Sequence, residues 1–399
     1  MSRFTVKIGG KVFAEIASVT VTRDLQNVAG SFEITLVDEA SIRNALIAQI
    51  GQAQPNPPIR RGQSISIAID GETVLIGWIN KPKWRWSGDK IECHITGRDR
   101  TGDLVDCAAL PYGPAEFKGV DLVFVANKVC APFGIPVRAD VDIGAAFDRL
   151  SLHKHMTALA FLESAARQRS ILLTSDGVGG LLLTRGGASR APAALAIGDN
   201  VLEVDFEDDE DQRFSDCFVM QDTSRHRHGG PGQTIDDAPY DDEDPHDTPG
   251  ADSAAEETAI GTMGHAIDPE VTRWRPTVRL TRSQSGMSSV QEQAEWACRV
   301  ARGQSAHLHM TVLDYRAGAD KSLWRPNQVA TVWDPYSGID RDMLIAGVTF
   351  TFSEEGEKTS LRLVGVTAYD RINEAERRHH YGKQKAAPGQ IVVAPLSAQ

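Results

Sequence analysis

The chain has 399 residues, 41% hydrophobic and 24% charged, the composition of a globular protein with room for two or three domains. Its net charge of −12 argues against a general nucleic-acid binder, because phosphate contacts require clustered Lys and Arg. The sequence contains no apolar run of about 18 residues, so it predicts no membrane span. Its N-terminal stretch does not resemble a signal peptide. We therefore expect the protein to fold in the cytoplasm.

The first part of the chain, residues 1–106, predicts a small antiparallel β domain. Apolar and polar residues alternate with a period of two, which is typical of half-buried strands. A helix is expected at EASIRNALIAQIG, where Ile42, Leu46 and Ile50 recur four residues apart. The predicted strands are FTVKI, KVFAEI, ASVTVTR, SFEITLVD, SISIAID, ETVLIGWIN, KWRWS and KIECHITG.

Residues 107–198 change character and predict a small α/β domain. DLVFVANKVCAPFG and HMTALAFLESAARQR have helical spacing of their apolar residues. ILLTSDGVGGLLLTR predicts two strands joined by a glycine-rich turn. DGVGG resembles a phosphate-binding loop, but such a loop requires a helix N-terminus behind it, so a hairpin is expected here.

Residues 199–372 predict a second β domain, with strands at VLEVDFE, SDCFVMQD, PTVRLTR, HLHMTVLDY, QVATVWD, MLIAGVTFTFS and TSLRLVGVTAYD. A helix is expected at SSVQEQAEWACRVARG. Residues 223–268 are polar and acidic; Asp236 to Glu257 holds ten Asp or Glu and no Lys or Arg. Too little apolar surface is available there to offset ordering, so a flexible acidic insertion is expected. Residues 373–399 are expected to form a C-terminal tail.

The two β domains repeat one pattern. RRGQSISIAID–ETVLIGWINKPKWRWSGDKIECHITGRDR aligns with WRPNQVATVWD–DMLIAGVTFTFSEEGEKTSLRLVGVTAYDR. Glycines match at Gly77 with Gly347 and at the hairpin positions Gly88 with Gly356. Each copy ends on an Asp-Arg pair. The pattern predicts two similar antiparallel β-barrels in a mainly β protein, with a small α/β domain between them.

The Asp-Arg pairs are Asp99-Arg100 and Asp370-Arg371. Asp99 lies in GRDRTGDLVDCAA, whose carboxylates could serve acid/base chemistry or bind a cation. Because the pair recurs at both barrel ends, we interpret it as a barrel-closing joint held by charge-assisted hydrogen bonds.

Other candidate sites have weak support. The motif H-x-H occurs three times, at His153/His155, His226/His228 and His307/His309, but no Cys or carboxylate stands at ligand spacing. EDDED at 207–211 lacks the spacing of an EF-hand loop. The five cysteines form no C-x-x-C pair and are interpreted as buried thiols. We therefore expect no enzymatic activity, metal or cofactor.

Four segments resemble the baseplate hub proteins of contractile-tailed phages. They are LIGWINKPKWRWSGDKIECHITGRDRTGDLVDCAA, ALAFLESAARQRSILLTSDGVGGLLLTR, AEWACRVARGQS and LWRPNQVATVWDPYSGIDRDMLIAGVTFTF. Within this class the sequence is most similar to the phage Mu-like hubs, which are related to late control protein D and to the N-terminal part of the VgrG spike proteins.

The resemblance implies a virion structural protein, assembled in the host cytoplasm as a homotrimer in the tail baseplate. Each chain would donate two tail-tube-like β-barrels to a ring around the DNA channel. The ring would join the hexameric tail tube, or its initiator ring, to a trimeric central spike on a separate polypeptide. It would also contact baseplate wedge proteins and meet DNA only in transit.

Two alternatives remain open from the sequence. One is the hub of a phage-derived injection particle, either a tailocin or a secretion-type device. The other is a protein of a different class, either a cell-wall-degrading or glycan-binding tail component or a metal-binding adhesin.

Overall fold

The computed structural model describes residues 3–13, 16–37, 47, 58–86, 91–152, 155–221, 263–281 and 289–370. The protein is mainly β, as the alternating sequence pattern predicts. The helix expected at EASIRNALIAQIG falls almost wholly outside the described residues, and so does the C-terminal tail.

The first group of strands follows the predicted segments closely. More buried and more exposed residues alternate with a period of two along most of these strands, so that one face of each strand packs on a core. The two strands expected at ETVLIGWIN and KWRWS are a single 15-residue strand, because one hairpin partner pairs with both. The strands are β1 (Phe4–Ile8), β2 (Lys11–Phe13), β3 (Ile16–Asp24), β4 (Ser31–Val37), β5 (Ser64–Ile69), β6 (Glu72–Trp86) and β7 (Ile91–Asp99).

The middle segment is built from helices and short strands. Its two longer helices have N-caps: the Asp121 side chain accepts from the Phe124 amide (2.7 Å), and Thr157 accepts from the Ala160 amide (3.2 Å). Both helices bury one face in a core of this segment. The elements are α1 (Gly102–Asp106), β8 (Glu116–Phe117), α2 (Leu122–Cys130), β9 (Val137–Ala139), β10 (Leu150–Ser151), α3 (Ala158–Arg167), β11 (Leu172–Ser175), β12 (Leu181–Thr184), β13 (Ser189–Arg190) and β14 (Leu195–Ala196).

The last group of elements contains the longest helix. Its start is fixed by a capping box in which Ser289 and Glu292 exchange side-chain and backbone hydrogen bonds. The elements are β15 (Val201–Asp208), β16 (Asp216–Gln221), β17 (Met263–Ile267), β18 (Pro276–Thr281), α4 (Val290–Ser305), β19 (Ala306–Val312), β20 (Arg316–Ala317), β21 (Ser322–Leu323), β22 (Gln328–Asp334), β23 (Ile339–Ser353) and β24 (Gly356–Gly365).

One large sheet contains strands from both ends of the chain. Its order is β15-β19-β24-β23-β3-β4-β7-β6-β5-β1-β2, and β22 also pairs with β23. Ile197, which follows β14, forms an isolated parallel bridge with Val201 of β15, and β14 itself pairs with β22. In the first half, no ladder among the described residues joins β2 to β3. These ladders therefore leave the expected barrel closure unconfirmed.

The internal repeat is visible in the hydrogen-bond registers. The ladder of β6 with β7 shifts between Ile79 and Lys81, and that of β23 with β24 shifts between Ile345 and Gly347. The ladders of β3 with β4 and of β15 with β19 also share a shift, near their N-terminal ends. The set β3-β4-β7-β6 therefore matches the set β15-β19-β24-β23 strand by strand.

The two matching sets are joined edge to edge within the chain. Residues 347–352 of β23 pair antiparallel with residues 19–24 of β3. The Arg362 guanidinium donates to both carboxylate oxygens of Asp24, with Nη2–Oδ1 at 2.7 Å and Nε–Oδ2 at 3.0 Å. One apolar core runs through both halves, with the ring of Tyr315 packed edge-on against Phe4 and Phe350.

The prediction of a flexible insertion at residues 223–268 is wrong for residues 263–268. Residues 263–267 form strand β17, which pairs with β16, and Asp268 is only 1% exposed. The sequence pattern missed this strand because MGHAI is short and follows a long polar stretch. Residues 222–262 lie outside the described residues. The prediction for the cysteines also needs one correction, since Cys107 is exposed whereas the other four are buried.

Asp268 is the buried charge that holds this small sheet to α4. Its carboxylate accepts from Arg213 Nε and Arg302 Nη2, both at 2.7 Å. Burial alone would raise the pKa of Asp268, but the hydrogen bonds from the two arginines outweigh it and lower the pKa to about 2. The Asp268 carboxylate is therefore ionised at neutral pH, and the two guanidinium groups compensate its charge.

We expect Asp268→Asn to lower the free energy of unfolding at pH 7 by about 3 kcal/mol, because two arginines lose their buried counter-charge. The folded pKa lies below the unfolded value of about 3.9, so this stabilisation is present above pH 4 and lost as the pH falls toward 2. Urea unfolding at several pH values checks this, and the gap between wild type and variant should close on acidification.

The matched control is Glu270→Gln, which removes the same charge from the exposed partner of Arg213. It should cost less than about 1 kcal/mol. Equal losses for both variants would contradict the buried role of Asp268.

Candidate functional site

The end of β7 is a buried polar joint centred on Asp99, which is 1% exposed. One carboxylate oxygen accepts from the Thr101 amide (2.9 Å) and hydroxyl (2.6 Å), and the other from the Gly30 amide (3.0 Å). The Ser175 side chain also lowers the pKa of this carboxylate. Asp99 therefore ties the end of β7 to the segment that contains Gly30.

Arg23 supplies the opposite charge near this joint. Burial raises the pKa of Asp99, and the charge of Arg23 acts in the opposite direction. Burial also lowers the pKa of Arg23, whose guanidinium donates to the Ser175 carbonyl (3.1 Å). Protein groups engage the carboxylate and Arg23 Nη2, whereas the buried Arg23 Nε has no hydrogen-bond partner among the described residues.

The predicted hairpin at DGVGG is confirmed, and it packs on the same joint. The Gly177 carbonyl accepts from the Ile76 amide of β6 (3.1 Å), which docks the hairpin on the sheet. A Cβ at Gly177 would lie 2.6 Å from the Arg23 guanidinium carbon, and φ is +81° there. Glycine is thus required for close approach to the sheet. The sequence signals the turn but not this contact.

The other predicted Asp-Arg residues lie in different surroundings. Arg100 lies over the ring of Trp78, at 6.0 Å from its centroid. Asp370 lies beyond the end of β24 and contacts α4: its carboxylate accepts from Arg299 (3.2 Å) and its carbonyl from the Trp296 indole (2.9 Å). Arg371 is outside the described residues. Asp99 and Asp370 each fix the chain near the end of a strand, but they do so through different hydrogen-bond partners.

The registers also correct the residue-by-residue match of the repeat. Gly77 pairs with Asp99, and the equivalent pair in the second copy is Met343 with Gly365. Asp99 is therefore equivalent to Gly365 and not to Asp370. Identical residues at nearby positions misled the sequence alignment, whereas the shared bulges define the true register.

The repeat glycines have distinct local roles. A Cβ at Gly77 would lie 2.0 Å from the Arg98 carbonyl oxygen, so the two strands can approach only without a side chain. A Cβ at Gly347 would meet the Asp24 carboxylate at 2.5 Å. Gly356 has φ of +107° in the hairpin turn. Gly88 is outside the described residues.

A second charged cluster was not apparent from the sequence. Arg3 and Arg316 both bind the Asp70 carboxylate, and Arg316 and Arg325 both bind Glu72. The hydrogen bond from Arg3 lowers the pKa of Asp70. These partners are up to 253 residues apart, so no local pattern could have revealed them.

The H-x-H motif at His307/His309 lies on β19, directly opposite Glu207 and Asp205 of β15. Among the described residues, no group of three or more His, Cys, Asp or Glu is placed to hold a metal ion. His226/His228 fall outside them, as does His153. The described helices include none that is long and apolar enough to cross a membrane.

Three family models match the chain in consecutive order. Residues 3–99 match the Mu phage baseplate assembly protein GpP-like N-terminal domain, and residues 101–185 match the second domain of baseplate hub protein gp44-like. Residues 286–371 match the fourth domain of Mu phage baseplate assembly protein GpP.

Comparison with whole proteins agrees. The baseplate hub protein gp44 of Escherichia phage Mu is 28% identical over 385 residues, 95% of this chain and 92% of gp44. The 43 kDa tail protein of prophage MuSo2 from Shewanella oneidensis has a TM-score of 0.72 at 27% identity, covering 92% of this chain and 99% of that one.

A type VI secretion component of E. coli shares the fold, with a TM-score of 0.51 at 10% identity, over 93% of this chain and 79% of that one. It is described as structurally similar to the bacteriophage T4 tail proteins gp27 and gp5. The order of the three domain matches and the coverage of gp44 lead to one conclusion: the chain is a homologue of the phage Mu baseplate hub protein gp44 along most of its length.

Proposed function

We propose that this hub is a structural trimer which joins the hexameric tail tube to the trimeric central spike and surrounds the DNA channel. The observation that carries the proposal is the repeated four-stranded set with its shared bulges. Two copies per chain give six similar units in a three-fold ring. Such a ring offers approximate six-fold symmetry to a tube and three-fold symmetry to a spike.

The proposed partners follow from this geometry. The six similar units would face the tail tube protein or a tube initiator ring, the three-fold side would face the spike, and the periphery would contact baseplate wedge proteins. DNA would only pass through. The net charge of −12 supports this, because an acidic wall repels a polyanion and does not retain it.

The same geometry would serve a tailocin or a secretion-type particle, and the fold shared with the type VI component favours this as the second candidate. Within either particle we propose an architectural role for Asp99, and not a catalytic one. Its carboxylate is 1% exposed and accepts hydrogen bonds from Thr101 and Gly30, which leaves it little capacity to bind a substrate.

We expect the purified chain, alone or with its spike protein, to have the mass of a trimer by light scattering. A chain that remains monomeric at all concentrations and never joins a trimeric spike would contradict the proposal. Zymography on peptidoglycan provides an independent check, and lysis by the pure protein would favour a cell-wall hydrolase.

We expect Asp99→Ala to lower the free energy of unfolding by about 3 kcal/mol, because the buried amides of Thr101 and Gly30 lose their acceptor. Denaturant unfolding measures this. Asp106→Ala is the control, since it removes an exposed carboxylate paired with Arg98 from the same region and should cost less than about 1 kcal/mol. A stable Asp99→Ala variant would refute the joint.

A further inference from the structure

Two buried cysteines lie on elements that pack against each other. Cys217 is on β16 and is 2% exposed, and Cys298 is on α4 and is 5% exposed. Both are free thiols, and α4 packs on β16 and on its neighbour β17. The two residues are far apart in the chain, so no C-x-x-C spacing indicated a relation between them.

The periodicity of the strand and of the helix directs both thiols into the same contact. Cys217 is two residues before Val219, so both side chains lie on one face of β16. Cys298 lies one helical turn beyond Ala294 and two turns beyond Val290, on one stripe of α4. Val219, Val290 and Ala294 form one buried apolar cluster. The two thiols therefore extend this cluster along both elements.

Contacts on either side of the thiols fix α4 along the small sheet. A Cβ at Gly264 of β17 would overlap the carbonyl oxygen of Val290, so strand and helix meet there without a side chain between them. Beyond the other end of β17, Asp268 accepts from Arg302 Nη2 (2.7 Å) in the last turn of the helix. Cys217 pairs with the residue midway between Gly264 and Asp268, and the cysteine of α4 is one turn before Arg302.

Each thiol is the strongest influence on the ionisation of the other. Cys217 lowers the pKa of Cys298, and the positive charges of Arg302 and Arg213 act in the same direction against burial. In return, Cys298 raises the pKa of Cys217. Such mutual effects are typical of neighbouring titratable groups. Cys298 therefore ionises first, and its thiolate is the better nucleophile of the two.

We propose that Cys217 and Cys298 form a dithiol redox site, which a low-molecular-weight disulfide such as oxidised glutathione converts into an intramolecular disulfide. The Cys298 thiolate attacks one sulfur of the oxidant, which forms a mixed disulfide and releases one glutathione thiolate. Cys217 then loses its proton to solvent and attacks the Cys298 sulfur, which releases the second glutathione thiolate. Two protein thiols are oxidised, and one glutathione disulfide is reduced to two thiols.

The bond would tie β16 to α4 in addition to the charge pair of Asp268 with Arg302. A disulfide between distant positions also constrains the unfolded chain. Because both thiols are buried, the oxidant reaches them only when the small sheet opens from the helix. Oxidation should therefore be slow and, once complete, should hold the sheet closed.

The biological role of the site rests on the proposed function. A tail component that is assembled in the host cytoplasm would keep both thiols reduced, since thiol buffers there prevent disulfide formation. The released particle would meet oxidising surroundings, where the bond would lock α4 onto the small sheet. The chemistry needs only one chain and does not depend on the trimeric ring.

The first test is a count of free thiols in the full chain after incubation in glutathione buffers of increasing oxidised fraction. Alkylation in denaturant and intact mass spectrometry count the remaining thiols, and peptide mapping identifies the bond. We expect the wild type to lose two of its five thiols, with Cys217 linked to Cys298. Five free thiols in the most oxidising buffer, or a bond between other cysteines, would overturn the proposal.

Two variants serve as matched controls. Burial alone raises the pKa of Cys130 to about 12, so this thiol is buried like the proposed pair but has no thiol neighbour acting on it. Cys130→Ser should therefore still form the bond. Cys298→Ser should form no intramolecular disulfide, and the appearance of one in this variant would contradict the assignment of the pair.

The second test asks whether the bond holds the sheet to the helix. Amide hydrogen exchange in β16 and α4 should slow at least about tenfold in the oxidised protein, because the bond opposes their separation. Dithiothreitol should restore the original rates, and exchange in Cys298→Ser should not respond to the redox buffer. Unchanged exchange in wild-type protein that carries the bond would overturn the lock.

These outcomes are distinguishable from failure of the proposed hub function. A chain that stays monomeric but forms the bond between Cys217 and Cys298 would overturn the ring and leave the redox site standing. A trimer in which all five thiols stay free in the most oxidising buffer would overturn the redox site and leave the hub standing.

Discussion

The antiparallel pairing of β23 with β3 is the constraint on which the rest of the structure depends. It joins segments more than 300 residues apart and converts two four-stranded sets into one sheet. This pairing brings Asp24 of β3 next to Arg362 of β24, and it lets residues of both halves pack around Tyr315 in one core. Closing so long a loop is entropically costly, so the many contacts of a continuous sheet are needed to offset it.

The sequence predicted most strands, the two longer helices of the middle segment and α4, because alternation and helical spacing report which face is buried. It also predicted the duplication, although not its register. Gly77 with Gly347 and Asp99 with Asp370 are matches of residue type, whereas the register follows bulges that depend on the partner strand. The sequence pattern of one strand does not reveal which strand pairs with it, and so it does not reveal where the bulge lies.

The charged joints were the least predictable part of the protein. Asp268 was assigned to a flexible acidic insertion, yet it is buried between Arg213 and Arg302. Asp99 was expected to hold the strand end together with Arg100, whereas its carboxylate accepts hydrogen bonds from Thr101 and Gly30. In each case the environment of the carboxylate depends on residues that are distant in the sequence. Tertiary packing brings these residues together, so the local sequence pattern does not reveal them.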